Sequence, residues 1–532
     1  MATRPVNIND VLDGHVTLDL RCLDRIYLNG YLPTVQVGGQ VVRFLASRGQ
    51  PIPSPAAVAK IGETFRVSVR RFAEANQIPV VKFAKGERKV EVMRRYVAAQ
   101  AATGRAGVAA IGVAQEFQRV FAASTTPARQ QGGAPHFSWA KADRRVTCYY
   151  FYVWDADFGM AFIKVCAYFP YPVKIWLNGH EWAKRQAVKA GIGFTELSNG
   201  FASTDDPAGL QAICDRLGSG TIKVFCERWW ARLPLPLTAA DRANGYWWEV
   251  SMRQVEVSRT IVFDAPRQGR AFFEALVADN LDIGRPEHIE LIFGRRDRSR
   301  RPGVFATRVI THGVDVTVNA FYKHSRVKQY LKDGRALRIE TVINNPNDLG
   351  CLRRLEHLEE LTAKGRDIND RLVDHERVGQ GCVLASPAFE RVAQPSLVDG
   401  QRAPALRFGD PRVMALVGAL IIASNLVGGF TNATLRVQVA ALLGAPYSQA
   451  QASYDLRRLR LKGLIRRLEH SNTYVLTSDG QRIALFYTKV HDRLLRPLTA
   501  ADRPPASLEV RKALRTLDHA VQDYIDQARL AA

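Results

Sequence analysis

Four acidic residues stand where carboxylates can do chemistry. Asp155 and Asp157 lie in the turn-forming stretch DADFG, Glu181 closes the tetrapeptide Asn178-Gly-His-Glu181, and Glu340 sits in LRIET at 337–341. Carboxylates that converge can hold two Mg²⁺ ions, which activate an oxygen nucleophile and stabilise the leaving oxygen of a phosphodiester. Mg²⁺ is therefore the expected cofactor, with Asp155, Asp157, Glu181 and Glu340 as expected ligands and catalytic residues. Each also has a plainer role open to it: turn former for the two aspartates, first-turn helix acid for Glu181, partner of Lys328 for Glu340. A second constellation is cationic and aromatic, YKHSRVKQYLK at 322–332. Extended, it places Tyr322, His324, Arg326, Lys328 and Tyr330 on one face and Lys323 on the other. Such a segment suits a phosphate backbone, so Lys323, Arg326 and Lys328 are expected nucleic-acid contacts.

The third constellation is near the C-terminus. Thr431 caps a short amphipathic helix over Asn432–Leu443, and Gly444-Ala-Pro breaks it. Ser448 then caps a longer helix to Leu464, with Tyr454, Leu456, Leu459 and Leu464 toward a core and Arg457, Arg458, Arg460 and Lys462 around them. Two short strands, Ile465–Leu468 and Thr473–Leu476, precede a closing helix over Asp479–Leu495. This order resembles the winged helix-turn-helix superfamily, especially MarR- and ArsR-like regulators, across residues 411–498. The resemblance implies that the longer helix enters the major groove with Gln449, Gln451 and Ser453 toward base edges. Arg457, Arg458, Arg466 and Arg467 would then meet phosphates, with Arg460 and Lys462 extending the basic surface.

Two further resemblances concern the upstream chain. Strand, turn, strand, strand and helix over 145–190 are similar to the opening of an RNase H-like fold, and LSNGF at 197–201 resembles the DNG-type motif of integrases and transposases, although Ser198 stands where that motif has its acid. The 322–341 stretch is similar to part of some rolling-circle replication initiators, which would make Tyr330 a nucleophile. RVTCYYFYVWDADFG, YFPYP, NGHEWAKRQ and KHSRVKQYLKDGRALRIETVINN resemble a group of uncharacterised bacterial proteins, which implies no activity.

The elements that must position these residues are legible by periodicity. The N-terminal stretch alternates mixed α and β: a strand over 15–29, helices over 61–76 and 90–102, a strand over 78–83, and a strand over 107–113 leading into a helix through Gln115 and Glu116. Residues 124–136 break all periodicity and read as a linker. Residues 208–293 read as mainly helical, with Trp229, Trp230, Trp247 and Trp248 as core, and 305–344 as an antiparallel sheet. PLTAADR occurs at 236–242 and 497–503, a shared capping sequence. The expected organisation is α+β and multidomain: 1–123 α/β; 124–136 linker; 137–235 α/β; 236–394 helices and antiparallel sheet; 411–498 winged helix; 507–532 a C-terminal helix.

The balance of 74 Lys and Arg against 51 Asp and Glu, net +23, selects for polyanionic partners. Seven cysteines without a CxxC pair argue against a zinc ribbon and a complete disulfide framework, and fit a reducing cytoplasm. The apolar stretch 414–430 falls short of a membrane span and reads as a buried helix. The expectation is a cytoplasmic bacterial DNA-binding protein without a membrane partner. Its leading reading is a mobile-element nuclease or strand-transferase that uses Mg²⁺. The alternatives are a non-catalytic transcriptional regulator and an RNA-binding ribonucleoprotein component.

Overall fold

The computed structural model describes residues 8–50, 52–126, 136–279, 293, 304–312, 315–380, 387–398, 400–422, 429–468, 471–490, 516, 519 and 520. The chain is mixed α/β and divides into two compact units. The larger comprises Val11–Leu281 and Pro302–Asp370; the smaller comprises Met1–Asp10, Asp282–Arg301 and Arg371–Ala532.

The chain opens with α1 (Ile8–Gly14), β1 (Val16–Tyr31), α2 (Gly38–Ser47), α3 (Pro55–Ala75), β2 (Val80–Lys82) and α4 (Lys89–Ala102). A run of antiparallel strands follows: β3 (Gly107–Thr126), β4 (His136–Asp155), β5 (Gly159–Cys166) and β6 (Val173–Asn178). Then come α5 (Gly179–Lys189), β7 (Phe194–Glu196), β8 (Phe201–Thr204), α6 (Pro207–Asp215), α7 (Ser219–Trp230) and α8 (Ala239–Ala243). The larger unit continues through β9 (Glu249–Phe263), α9 (Pro266–Asp279), β10 (Val304–His312), β11 (Asp315–Lys323), β12 (Ser325–Lys332) and β13 (Ala336–Ile343). It ends within α10 (Leu358–Gln380).

Eleven of these strands form one sheet, ordered β10-β11-β12-β13-β9-β1-β6-β5-β4-β3-β2, in which only β2 and β3 pair in parallel. Alternation buries Ile26 and Leu28 of β1, Phe151 and Val153 of β4, Ala161 and Ile163 of β5, and Ile175 and Leu177 of β6 on one face. Helices pack close over this sheet: Gly62 of α3 lies on the Ala167 carbonyl and Gly365 of α10 on Val257, where a Cβ would collide.

The single sheet corrects the expected boundaries. Strands from 1–123, 137–235 and 236–394 hydrogen-bond side by side, so those divisions cut through one structural unit. Residues 124–126 and 136 belong to the long β3–β4 hairpin, and 127–135 lie outside the described residues. β3 continues as strand through Gln115 and Glu116, where a helix was expected, because Val146 to Tyr150 of β4 pair with it throughout. Within 208–293 the central strand β9 replaces helix. The strand after α5 does not join the sheet beside β4, as an RNase H-like order requires; β7 pairs with β8 in a separate two-stranded sheet. The segment 322–332 is interrupted: Tyr322 pairs with Ser325 across a turn in which Lys323 has φ +55°, so Arg326, Lys328 and Tyr330 share a face without Tyr322 and His324.

The smaller unit has its own core. It contains α11 (Pro387–Ala393), the hairpin β14 (Ser396–Val398) and β15 (Gln401–Ala403), α12 (Pro411–Leu420), α13 (Asn432–Leu443), α14 (Gln449–Leu461), the hairpin β16 (Ile465–Arg467) and β17 (Tyr474–Leu476), and α15 (Ser478–Val490). Leu416, Leu420, Leu435, Val439, Leu456, Leu459, Ile483 and Tyr487 form its centre. Capping boxes at Thr431 and Ser448 start α13 and α14, and Gly444, left-handed at φ +68°, ends α13. The apolar stretch supplies buried α12, and no helix among the described residues is long and apolar enough to cross a membrane. The basic run RRDRSRR at 295–301, the second PLTAADR and all but three residues of the expected 507–532 helix lie outside the described residues.

Candidate functional site

The acids expected to converge do not. Asp155 ends β4 and is fully buried. Its Oδ1 accepts from the backbone N–H groups of Asp157 (2.8 Å) and Phe158 (3.0 Å), and its Oδ2 from Trp229 Nε1 (2.8 Å) and Arg228 Nη1 (3.0 Å). Asp157 binds Lys189 (2.6 Å) and Arg228 (2.8 Å). Both aspartates therefore fasten the β4–β5 turn to α5 and α7, and no carboxylate oxygen of Asp155 is left for a metal. Glu181 is the first-turn acid of α5, whose N-terminus Asn178 Oδ1 caps, and it pairs with Lys184 at 3.1 Å. None of these three joins Glu340 in a metal-sized group among the described residues.

Glu340 instead meets Asp24 and Glu256, which sequence reasoning missed. The three come from adjacent strands β13, β1 and β9, and each offers an oxygen within 4.8 Å of the others. Asp24 arrives there through a β-bulge: the β1–β9 register slips between Leu23 and Ile26, re-aiming the side chain. All three are buried, at 1%, 5% and 3% exposure. This spacing would let a metal ion be held between them.

The site already contains its own counter-ions. Arg338, wholly buried, donates from Nη2 to Asp24 Oδ2 (2.8 Å), from Nε to Glu340 Oε1 (3.1 Å) and from Nη1 to Thr260 Oγ1 (2.5 Å). Arg338 Nη1 also lies 3.1 Å from His180 Nε2. His180 Nδ1 lies 3.1 Å from Asp24 Oδ1; burial opposes the imidazolium, but Cys22 and Asp24 outweigh burial and Arg338, and the His180 pKa is raised. Asn199 Nδ2 adds a donor to Asp24 at 2.7 Å. Glu340 accepts from Tyr330 Oη (2.8 Å) and pairs with Lys328. Glu256 accepts from Gln254 Nε2 (2.7 Å); its Oε2 has no hydrogen bond among the described residues, and Arg25 Nη1 is 4.0 Å away.

The electrostatics divide the trio. Burial raises the Asp24 pKa, but His180 and Arg338 overcome it and hold the carboxyl well below its ordinary value. Burial likewise opposes the Glu340 charge, and Arg338 prevails with help from Lys328, so its pKa is lowered. For Glu256 burial wins over Lys328 and Arg25, and the pKa is raised. Two ionised carboxylates thus face two cations, and the third is biased toward its neutral form. A metal ion would compete with Arg338 and Lys328 for Asp24 and Glu340; among the described residues Glu256 Oε2 and Glu340 Oε2 have no hydrogen bond, the latter lying against Lys328. The chain matches no family model, no curated protein and no solved structure. Tyr330, the expected nucleophile, is largely buried, and burial with the adjacent Glu340 pushes its phenol pKa up, away from the reactive phenolate. Lys323 and Arg326 are half-buried at the β11–β12 hairpin, while Lys328 is committed to Glu340.

In the smaller unit the expected nucleic-acid residues separate into two sets. Gln449, Ser453, Arg457 and Arg460 of α14 and Arg466 and Arg467 of β16 are exposed. Ser453, Arg457 and Arg460 line a cleft of about 540 Å³ with Thr431, Asn432, Asn472 and Tyr474. Gln451 is half-buried and closes the Ser448 capping box. Arg458 and Lys462, expected on phosphates, turn inward. Arg458 donates to the carbonyls of Pro404 (3.0 Å) and Ala405, and buried Lys462 to those of Arg391 (2.5 Å) and Gln394 (2.6 Å). These donations satisfy carbonyls at the end of α11 and in the segment after β15. Asp455 fixes the roll of α14 by accepting from Tyr447 Oη (2.6 Å) and Arg412 (2.9 Å).

Proposed function

We propose that this protein binds duplex DNA through its C-terminal module, in the manner implied by its resemblance to winged helices. α14 would enter the major groove, with Gln449 and Ser453 toward base edges. Arg457 and Arg460 would meet phosphates from the cleft, and Arg466 and Arg467 the neighbouring backbone. The observation that carries the reading is the convergence of Ser453, Arg457, Arg460, Asn432 and Asn472 on one cleft beside the exposed face of α14. Duplexes selected from a random pool, then titrated at several salt concentrations, test it. The double variant Arg457→Glu/Arg460→Glu is expected to weaken binding by at least about tenfold and to flatten the log–log salt slope by about 1.8, two contacts at 0.9 each. Undiminished affinity in that variant rules the reading out.

A second reading, a nuclease or strand-transferase using Mg²⁺, is favoured by one observation, the spacing of Asp24, Glu256 and Glu340. Those residues replace the ligand set Asp155, Asp157, Glu181 and Glu340. It predicts Mg²⁺-dependent nicking of supercoiled plasmid that Glu256→Gln abolishes. Plasmid left intact by the wild-type protein at millimolar Mg²⁺ leaves DNA binding as the reading.

A further inference from the structure

The face of the sheet opposite Ile26, Leu28, Ile163 and Ile175 carries a pattern that no expected site absorbs. Strand pairing sets Tyr27 opposite Trp176, Trp176 opposite Phe162, and Phe162 opposite Tyr152, an aromatic row across β1, β6, β5 and β4. Beside it runs a second row in which Asn29 faces Lys174, Lys174 faces Lys164, and Lys164 faces Tyr150. Two residues along a strand bring a side chain back to the same face, so the rows lie roughly 7 Å apart. At the β4 end α4 covers them: Tyr150 and Tyr152 pack in a cluster with Met93 and Val97. Toward β1 the face opens. Tyr27, Phe162, Trp176 and Lys174 are half-exposed and Arg253 is exposed.

The rings are ordered against one another. Phe162 and Trp176 lie parallel within 6°, centroids 6.0 Å apart, and Tyr27 meets Phe162 edge-on at 6.1 Å. The Arg253 guanidinium sits 5.1 Å over the Tyr27 ring.

Two cations of this face, Lys174 and Arg253, lack anions among the described residues. Lys164 is taken by Glu116, which also holds Lys89 and accepts from Tyr150 Oη at 2.6 Å. The side chains of Lys174 and Arg253 have no ion pair or hydrogen bond among the described residues. Lys174 stands directly opposite a like charge, an arrangement that costs stability unless something else favours it. Burial, then Lys164 and Arg253, push its pKa down to about 8, the mark of an ammonium whose charge is unmet. The acids bordering the face have partners of their own: Glu116 holds its two lysines, Glu256 accepts from Gln254, and Glu249 accepts from Tyr31 Oη.

We infer that this open face over β1, β6 and β5 is a platform for single-stranded nucleic acid, whose bases stack on Tyr27, Trp176 and Phe162 while its phosphates meet Lys174 and Arg253. Unpaired bases present a π-face that duplex DNA hides, and an aromatic row beside a cationic one is the pairing that a single strand rewards. A duplex offers this surface only phosphates. The platform lies on residues separate from the C-terminal module and stands independently of the duplex-binding reading.

The test uses the full chain with labelled oligo(dT), oligo(U) and a mixed-sequence duplex, titrated by fluorescence anisotropy. Lys174→Glu/Arg253→Glu is expected to weaken binding of the single strands by about tenfold or more and to flatten their salt slope by about 1.4, two contacts at 0.7 each. Trp176→Leu, which keeps an apolar side chain, is expected to weaken it by about fivefold or more. Thermal melts check that both variants fold, and duplex affinity should be unchanged in both. Arg457→Glu/Arg460→Glu should show the reverse selectivity, so failure of one reading is distinguishable from failure of the other. Tighter oligo(dT) points to a DNA strand and tighter oligo(U) to RNA, where the 2′-hydroxyl discriminates; either supports the platform. Single-strand binding that the folded variants leave intact, or wild-type protein that binds neither oligomer, overturns it.

Discussion

Arg338 is the residue on which the buried trio depends. Its guanidinium touches Asp24, Glu340, Thr260 and His180 with no water exposure. Arg338→Met would leave two carboxylates buried without that cation, and it is expected to destabilise the larger unit by about 3–5 kcal/mol in urea unfolding. The trio also sets a pH dependence whose sign differs within it. Asp24 and Glu340 have lowered folded pKa values, so their stabilisation is present above the ordinary carboxyl range near about 4 and is lost as pH falls through it toward the folded values. Glu256 has a raised pKa, so its neutral form stabilises below the ordinary range and that advantage is lost as pH rises through the folded value. Glu256→Gln is therefore expected to be more stable than wild type at neutral pH, with the gain disappearing in acid. Urea midpoints measured across that range check it; a variant less stable at neutral pH would mean that the carboxylate is held charged, as a bound cation would hold it. At this scale the sequence showed Glu340 as a strand acid beside Lys328. It did not show that Asp24 or Glu256 would face it, because Glu256 reads as a polar residue between Val255 and Val257 and Asp24 as an acid beside Arg25.

Elements were legible where local chemistry decides them. The Thr431 and Ser448 caps, the break at Gly444 and the short hairpin β16–β17 stand where capping and turn preferences put them. β9 was not legible. It is flanked by β1 and β13 and carries Gln254, Glu256, Ser258 and Thr260 in a polar row, so its sequence lacks the apolar run of a central strand. Only the partners across the sheet make that row tolerable. Closing helix α15 offers a test at this scale: a Cβ on Gly480 would sit 1.9 Å from the Leu464 carbonyl oxygen, so the helix packs directly on the start of the β16–β17 hairpin. Gly480→Ala is expected to cost about 1–3 kcal/mol by overpacking and to lower duplex affinity through displacement of the hairpin, read by thermal melt and anisotropy together.

The whole molecule joins a large sheet unit and a smaller helical unit with separate cores. Two transitions are expected in calorimetry, Arg338→Met lowering one and Gly480→Ala the other; a single transition lowered by both would contradict that separation. The excess of 23 positive charges predicts salt-sensitive binding to polyanions for the chain as a whole, whichever surface is used. The amino-acid sequence by itself determined that charge, most strands and helices, and the helix-and-hairpin order near the C-terminus, because caps, glycine turns and periodicity act over a few residues. The tertiary structure alone decided which polar groups meet. It drew Asp24, His180, Glu256, Arg338 and Glu340 into one buried cluster, and it turned Arg458 and Lys462 away from solvent onto loop carbonyls. Arg338 lies 314 residues along the chain from Asp24. No local pattern records such a contact, since it exists only where strand pairing and a β-bulge bring distant side chains to one face.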